Sequence, residues 1–234
     1  MIDMTTPDSP PAVPPAPAVA PRPTRFRDGS RFFFDSLRSR PVARRILSGF
    51  SIVLAVVAIG LLAYPLATNY YQDRLQSELA IQLHSAQSKV AYTSGHTPVG
   101  GALTRIVIPA IKVDTVVVEG TGASALRAGA GHYPNTPLPG EEGNVAIAGH
   151  RTTYGKPFAN LDHLAVGDQI VLETPIGQHV YRITRAPFVV SNNDFTVISQ
   201  TPGRTLTLTT CHPKGSAAHR LVIRATLQGP AAPA

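Results

Sequence analysis

From Ile46 to Tyr71 the chain carries no charged residue, and Ile46–Ala67 alone is 22 residues long. At 1.5 Å per residue a helix of that length rises about 33 Å, enough to cross a hydrocarbon core of about 30 Å. This run divides the 234-residue chain into parts that cannot share one core. A β domain of roughly 125 residues offers too little surface to cover a helix that is apolar all round. A cleaved signal peptide fits poorly, because the run begins far from Met1 and exceeds the usual apolar stretch of about 7–15 residues. Eight arginines lie at or before Arg45, and Phe32-Phe33-Phe34 sits among them, as in a membrane-interface belt; after the run only Arg74 follows closely. That asymmetry predicts a single-pass membrane protein with a cytoplasmic N-terminus and everything after about residue 70 outside.

The flanks divide accordingly. Residues 1–45, with eight prolines between positions 5 and 23, read as a disordered cytoplasmic tail, because they cannot bury enough apolar surface to order themselves. The span is 46–67. Residues 68–102 read as an extracellular stalk: Leu75, Leu79 and Leu83 recur every fourth position, a weak helical stripe that could also pack on the domain or pair with another copy. The folded domain is expected at 103–227 and a disordered C-terminus at 228–234. Net charge is +7, but residues 103–234 hold eleven Lys/Arg against eight Asp/Glu. With no dense basic stripe and no aromatic platform, nothing supports nucleic-acid binding.

After residue 103 the pattern is short β-branched runs between turn residues. Seven runs stand out, at 105–109, 115–119, 143–148, 169–173, 179–190, 205–210 and 221–226. Strands at this spacing predict a mainly β domain, a closed barrel or a sandwich, with short helices at Ser124–Arg127 and Phe158–Leu164.

Chemistry concentrates on the single cysteine, Cys211, which rules out an intrachain disulfide. Lone cysteines are most often small buried hydrophobes. This one ends a strand-like run, precedes His212-Pro213, and faces an oxidising compartment where a purposeless thiol is disfavoured. Arg220 opens the next run, so an antiparallel hairpin would set it across from Cys211, with a fork of donors for an oxyanion. His150 closes the apolar run Asn144–Gly149, where a strand end would fix its orientation for proton transfer. Thiol, imidazole and guanidinium at strand edges suit cysteine acyl transfer. The neighbouring His212 and His219 raise a metal reading, which no Cys-x-x-Cys or His-x-x-x-His spacing supports. The pair Glu141-Glu142 reads as a solvated turn, so no metal is expected, and cysteine acyl transfer of this kind needs no cofactor.

The segments LTLTTC (Leu206–Cys211), CHPKGSAAHR (Cys211–Arg220) and NVAIAGHRTTYG (Asn144–Gly155) resemble sortases, the membrane-anchored cysteine transpeptidases of Gram-positive cell surfaces, over about residues 103–227. Together with GHYP (Gly131–Pro134) they look most like the class E housekeeping branch. The resemblance implies a closed eight-stranded barrel that cleaves a Leu-Ala-x-Thr-Gly-like sorting signal between Thr and Gly through a thioacyl enzyme. The partners implied are secreted proteins bearing C-terminal sorting signals and a peptidoglycan-precursor amine. Cys211 then matches the nucleophile, His150 the acid/base and Arg220 the oxyanion or substrate-binding arginine. Thr210 matches a peptide-contacting position, and Tyr133 a tyrosine near the groove. Two alternatives stay open. One is a pilin-polymerising sortase, although residues 70–102 lack the Asp-Pro-x-aromatic lid pattern. The other is a membrane-tethered binding module with a decayed site.

Overall fold

A computed structural model describes residues 41–229. The expected disordered segments therefore lie outside the described residues, save for 41–45 and 228–229. The chain divides at Ile59/Gly60 into two compact units. One helix, α1, spans Pro41–Leu83. Arg45–Tyr64 within it is long and apolar enough to cross a membrane, with a mean hydropathy of 2.6 and no buried residues.

The unit from Gly60 onward contains eight strands: β1 (Ala102–Ile108), β2 (Val113–Glu119), β3 (Ala130–His132), β4 (Gly143–Ala148), β5 (Gln169–Thr174), β6 (Gly177–Ser191), β7 (Arg204–His212) and β8 (His219–Leu227). They close in the order β1-β2-β3-β4-β7-β8-β6-β5. The pairs β2/β3 and β4/β7 are parallel and the rest antiparallel. The open choice between barrel and sandwich thus resolves as the eight-stranded barrel. Every strand-like run in the sequence becomes a strand. The eighth, β3, was invisible there: Ala130-Gly131-His132 is three residues of low β-propensity, held by its neighbours on both sides.

Alternation fills the interior. Val145 and Ile147 of β4, Leu206 and Leu208 of β7, and Leu221, Ile223 and Ala225 of β8 join Ile106, Ile170, Leu172 and Tyr181 in one core. The residues between them therefore face the outer wall. Helix α3 (Ala123–Ala128) falls where expected, whereas the segment at 158–164 forms only a 3-10 turn at Leu161–His163.

The segment read as a stalk is where structure and expectation part. The C-terminal end of α1 docks on the barrel, and a short α2 (Ala86–Thr93) follows it. Leu79 and Leu83 are buried in a second apolar cluster with Ala102, Val116, Val118, Ala125 and Ala128. Gln76 completes the joint: its Nε2 donates to the Ala128 carbonyl at 2.5 Å, and its Oε1 accepts from Val116 N–H at 2.7 Å. The every-fourth-residue leucine stripe is the inner face of a helix belonging to the folded unit.

Candidate active site

Strands β7 and β8 pair antiparallel with Cys211 opposite Arg220, the last rung but one before the 213–218 loop. Paired residues share a face, and both lie on the outer one. Nη1 of Arg220 stands 3.6 Å from Cys211 Sγ, and the guanidinium is steadied by the carbonyls of Ala217 (3.1 Å) and His219 (3.2 Å). Cys211 is half-buried and free.

His150 arrives from the other side. The parallel β4/β7 ladder ends at Ala148 opposite Thr209. Carrying that register on by two residues brings His150 beside Cys211, on strands about 4.8 Å apart. Two bonds extend the ladder beyond its last rung: Gly149 N–H donates to Thr209 O (3.1 Å), and Thr210 Oγ1 donates to Gly149 O (2.8 Å). Position 149 must be glycine, since a Cβ there would fall 2.5–2.9 Å from the buried ring of Phe158. Phe158 N–H in turn donates to His150 O at 3.1 Å. The imidazole lies against Tyr154, ring centroids 5.2 Å apart, and Arg127 sits over the far ring at 5.8 Å. Partial burial lowers the proton affinity of His150 below that of a free histidine.

The two expected substrate contacts sit differently. Thr210 is buried, its hydroxyl committed to the Gly149 carbonyl, so in this structure it ties the cysteine strand to the histidine strand. Tyr133 lies on the outer wall, its hydroxyl sharing a 3.2 Å hydrogen bond with Thr209 Oγ1, two residues before the cysteine. It opens a cleft of about 370 Å³ walled by Pro134 and Thr136 on one side and by Phe195 and Ile198 on the other. Asn144 holds the second wall in place by donating through Nδ2 to Val197 O (3.2 Å) and Ser199 O (3.1 Å). A separate polar cavity of about 270 Å³, between Gln72 and Gln76 of α1 and residues 111–115 and 155–160, includes none of the three reactive groups.

Three residues around the site were not singled out in the sequence. Tyr154 and Phe158 follow His150 in the loop that folds back over the strand end. Arg151, next to the histidine, is buried and reaches across to Cys211 and His212. The one available signal was an arginine inside an otherwise apolar strand ending. Three histidines outside the site read from the sequence as solvated surface groups; His84 and His96 are exposed, whereas His179 is partly buried. Among the described residues no three His, Cys, Asp or Glu side chains converge.

A closed mixed barrel with a thiol and a guanidinium on one rung, and an imidazole at the end of the adjoining parallel strand, defines a class of β-barrel equipped for cysteine acyl transfer. A profile of the sortase domain matches residues 106–228. The chain is 28% identical over 198 residues to Sortase SrtE1 of Streptomyces coelicolor, covering 78% of this chain and 56% of that protein. It is similar in structure to sortase E of Streptomyces avermitilis (38% identity, TM-score 0.54, 58% of this chain and 93% of that one). It is likewise similar to the Clostridium perfringens Sortase D5 transpeptidase (32% identity, TM-score 0.59, 68% and 98%). The chain belongs to the sortase family, and within it is class E-like.

Proposed function

We propose that this protein is a membrane-anchored cysteine transpeptidase that cleaves a Leu-Ala-x-Thr-Gly-like sorting signal between Thr and Gly and joins the secreted protein to a cell-wall amine. The observation that carries the reading is the Arg220–Cys211 rung, a guanidinium 3.6 Å from the sulfur, with His150 at the adjoining strand end. In the proposed reaction Cys211 Sγ attacks the threonine carbonyl and its proton passes to His150. The C–N bond breaks as His150 returns that proton to the departing glycine amine, leaving a thioester. An incoming amine, from a peptidoglycan precursor, loses its proton to His150, attacks the thioester and expels the thiol. Arg220 faces the oxyanion in both halves. No step requires a metal or cofactor.

The peptide would lie in the cleft beside Tyr133, where Phe195 and Ile198 offer apolar contact. The domain boundaries remain part of the proposal: span 46–67 and catalytic domain 103–227, with the docking of Leu79 and Leu83 on the barrel supporting inclusion of the end of 68–102 in the same folded unit. The arginine asymmetry places the catalytic unit outside and the tail in the cytoplasm.

The test uses the full chain in detergent micelles, with a Leu-Ala-x-Thr-Gly peptide and with or without a glycine-based amine. Mass spectrometry should find the peptide's N-terminal fragment on Cys211, and added amine should convert it to a joined product. An unmodified enzyme and an intact peptide would refute the reading.

A further inference from the structure

Cys211 and His212 follow one another on β7 and so face opposite ways, and Arg151, the residue after His150, meets His212 behind the cysteine. Arg151 is buried, with 4% of its surface exposed. Its Nη1 donates to His212 Nδ1 at 2.9 Å and to the Cys211 carbonyl at 3.3 Å. Its Nη2 bonds Asp162 Oδ2 at 2.9 Å, on the 3-10 turn that covers this rim. The guanidinium thus joins three segments: the end of β4, the end of β7 and the turn above them. Its Nε has no partner among the described residues, so the two terminal nitrogens do all the holding.

Hydrogen-bond logic then determines His212. A guanidinium can only donate, so Nδ1 must present its lone pair and the ring proton resides on Nε2. That contact would fix the ring in one tautomer, one residue from the nucleophile. Asp162 supports this arrangement: burial pushes its carboxyl up, but its backbone hydrogen bond and the charges of Arg151 and Lys214 outweigh that, leaving it ionised below the ordinary range.

We propose that Arg151, anchored by Asp162, is a positioning residue for acyl transfer: it fixes the backbone at Cys211 against the strand that carries His150 and holds His212 as the neutral Nε2–H tautomer. This rests on the transpeptidase reading for its kinetic consequence, though not for its geometry. Displacing a reacting group by about 1 Å can cost on the order of 100-fold in rate. The joint governs only how thiol and imidazole meet, so its loss should appear in the chemical step and spare peptide binding in the cleft.

The experiment pairs two readouts on the full chain in micelles. Nitrogen NMR of histidine-labelled protein should show His212 protonated on Nε2 and bare on Nδ1 near neutral pH, and Arg151→Gln should release it to a mixture. In peptide acylation Arg151→Gln should lower kcat by about 10–100-fold with KM changed by less than about threefold. Arg151→Lys should not rescue it, because one ammonium cannot reach all three partners. Asp162→Asn, on the partly exposed side of the joint, carries the test if Arg151→Gln fails to fold, and should give a smaller kcat loss in the same direction. A wild-type His212 protonated on Nδ1, a kcat in Arg151→Gln above about half of wild type, or a loss carried by KM would each overturn the proposal. Should wild-type enzyme form no Cys211 adduct, the transpeptidase reading fails while the histidine spectrum still decides the clamp.

Discussion

Replacing Leu83 with alanine asks whether the end of α1 belongs to the catalytic fold. Leu83 is 1% exposed, in a cluster where the helix contributes Leu79 and Leu83 and the barrel contributes Val116 and Val118. Leu→Ala removes three carbons, worth about 2.4 kcal/mol at about 0.8 kcal/mol per buried methylene. The cavity contribution should be small, because an open cleft of about 270 Å³ already borders Leu83 and water can enter the vacated space. The expected loss is therefore about 2–3 kcal/mol, in the lower part of the range for buried leucines. It should appear in the barrel's own unfolding transition, followed in urea by circular dichroism or by tyrosine emission, the chain having no tryptophan. Ile81, two residues back and 76% exposed, supplies the control: Ile81→Ala should shift stability by no more than about 0.5 kcal/mol. If Leu83→Ala is as silent as Ile81→Ala, or if only helix signal melts early while the barrel transition stays put, the docked helix is wrong and the segment is a free stalk.

Cys211→Ala should abolish transpeptidation while costing less than about 1 kcal/mol of stability, since the thiol lies half-buried at a strand edge; residual turnover by pure mutant would sink the mechanism. Arg220→Lys should lower kcat/KM by about 10²–10³: Nη1 alone makes the contacts to the sulfur and the two carbonyls, so the guanidinium keeps further donors for an oxyanion, which a compact ammonium lacks; retention of more than about a third would make Arg220 a structural strand-edge residue. His150 and His179 both bind a proton less readily than free histidine because of burial, with Arg204 adding to the effect at His179. The unfolded chain therefore takes up protons that the folded one does not, and stability should fall as pH drops below about 6.5, seen as a lower urea midpoint at about pH 5.5 than at about pH 7.5. Protease added to protoplasts should remove the catalytic unit and spare a tag at Met1; a cleaved tag would reverse the proposed orientation.

Legibility in the sequence followed the range of the forces. Seven strands announced themselves because β-branched alternation is local, while β3 did not, since three small or polar residues become a strand only between two finished neighbours. The docked helix was half legible. The stripe Leu75, Leu79, Leu83 showed which face was apolar, but a stripe names no partner. What commits it to the barrel is Gln76, whose amide meets backbone groups of residues 116 and 128, forty and fifty-two positions away.

The site divides the same way. Cys211 and Arg220 belong to one hairpin, so their meeting follows from register across a short loop and could be reasoned from spacing alone. Cys211 and His150 belong to parallel strands, which no hairpin can join. Fifty-five residues of β5, β6 and crossing loops separate the end of β4 from the start of β7, and nothing local says that these two ends share a rim. Only the family resemblance linked them beforehand. The structure supplies the physical link: continued ladder bonds at Gly149 and Thr210 on the strands themselves, and the Arg151 guanidinium behind them. On the proposed reading, a thiol and an imidazole brought together over so long a connection depend for their alignment on Arg151 and its partners behind them, so the residues flanking the reactive pair would matter to function as well as to fold.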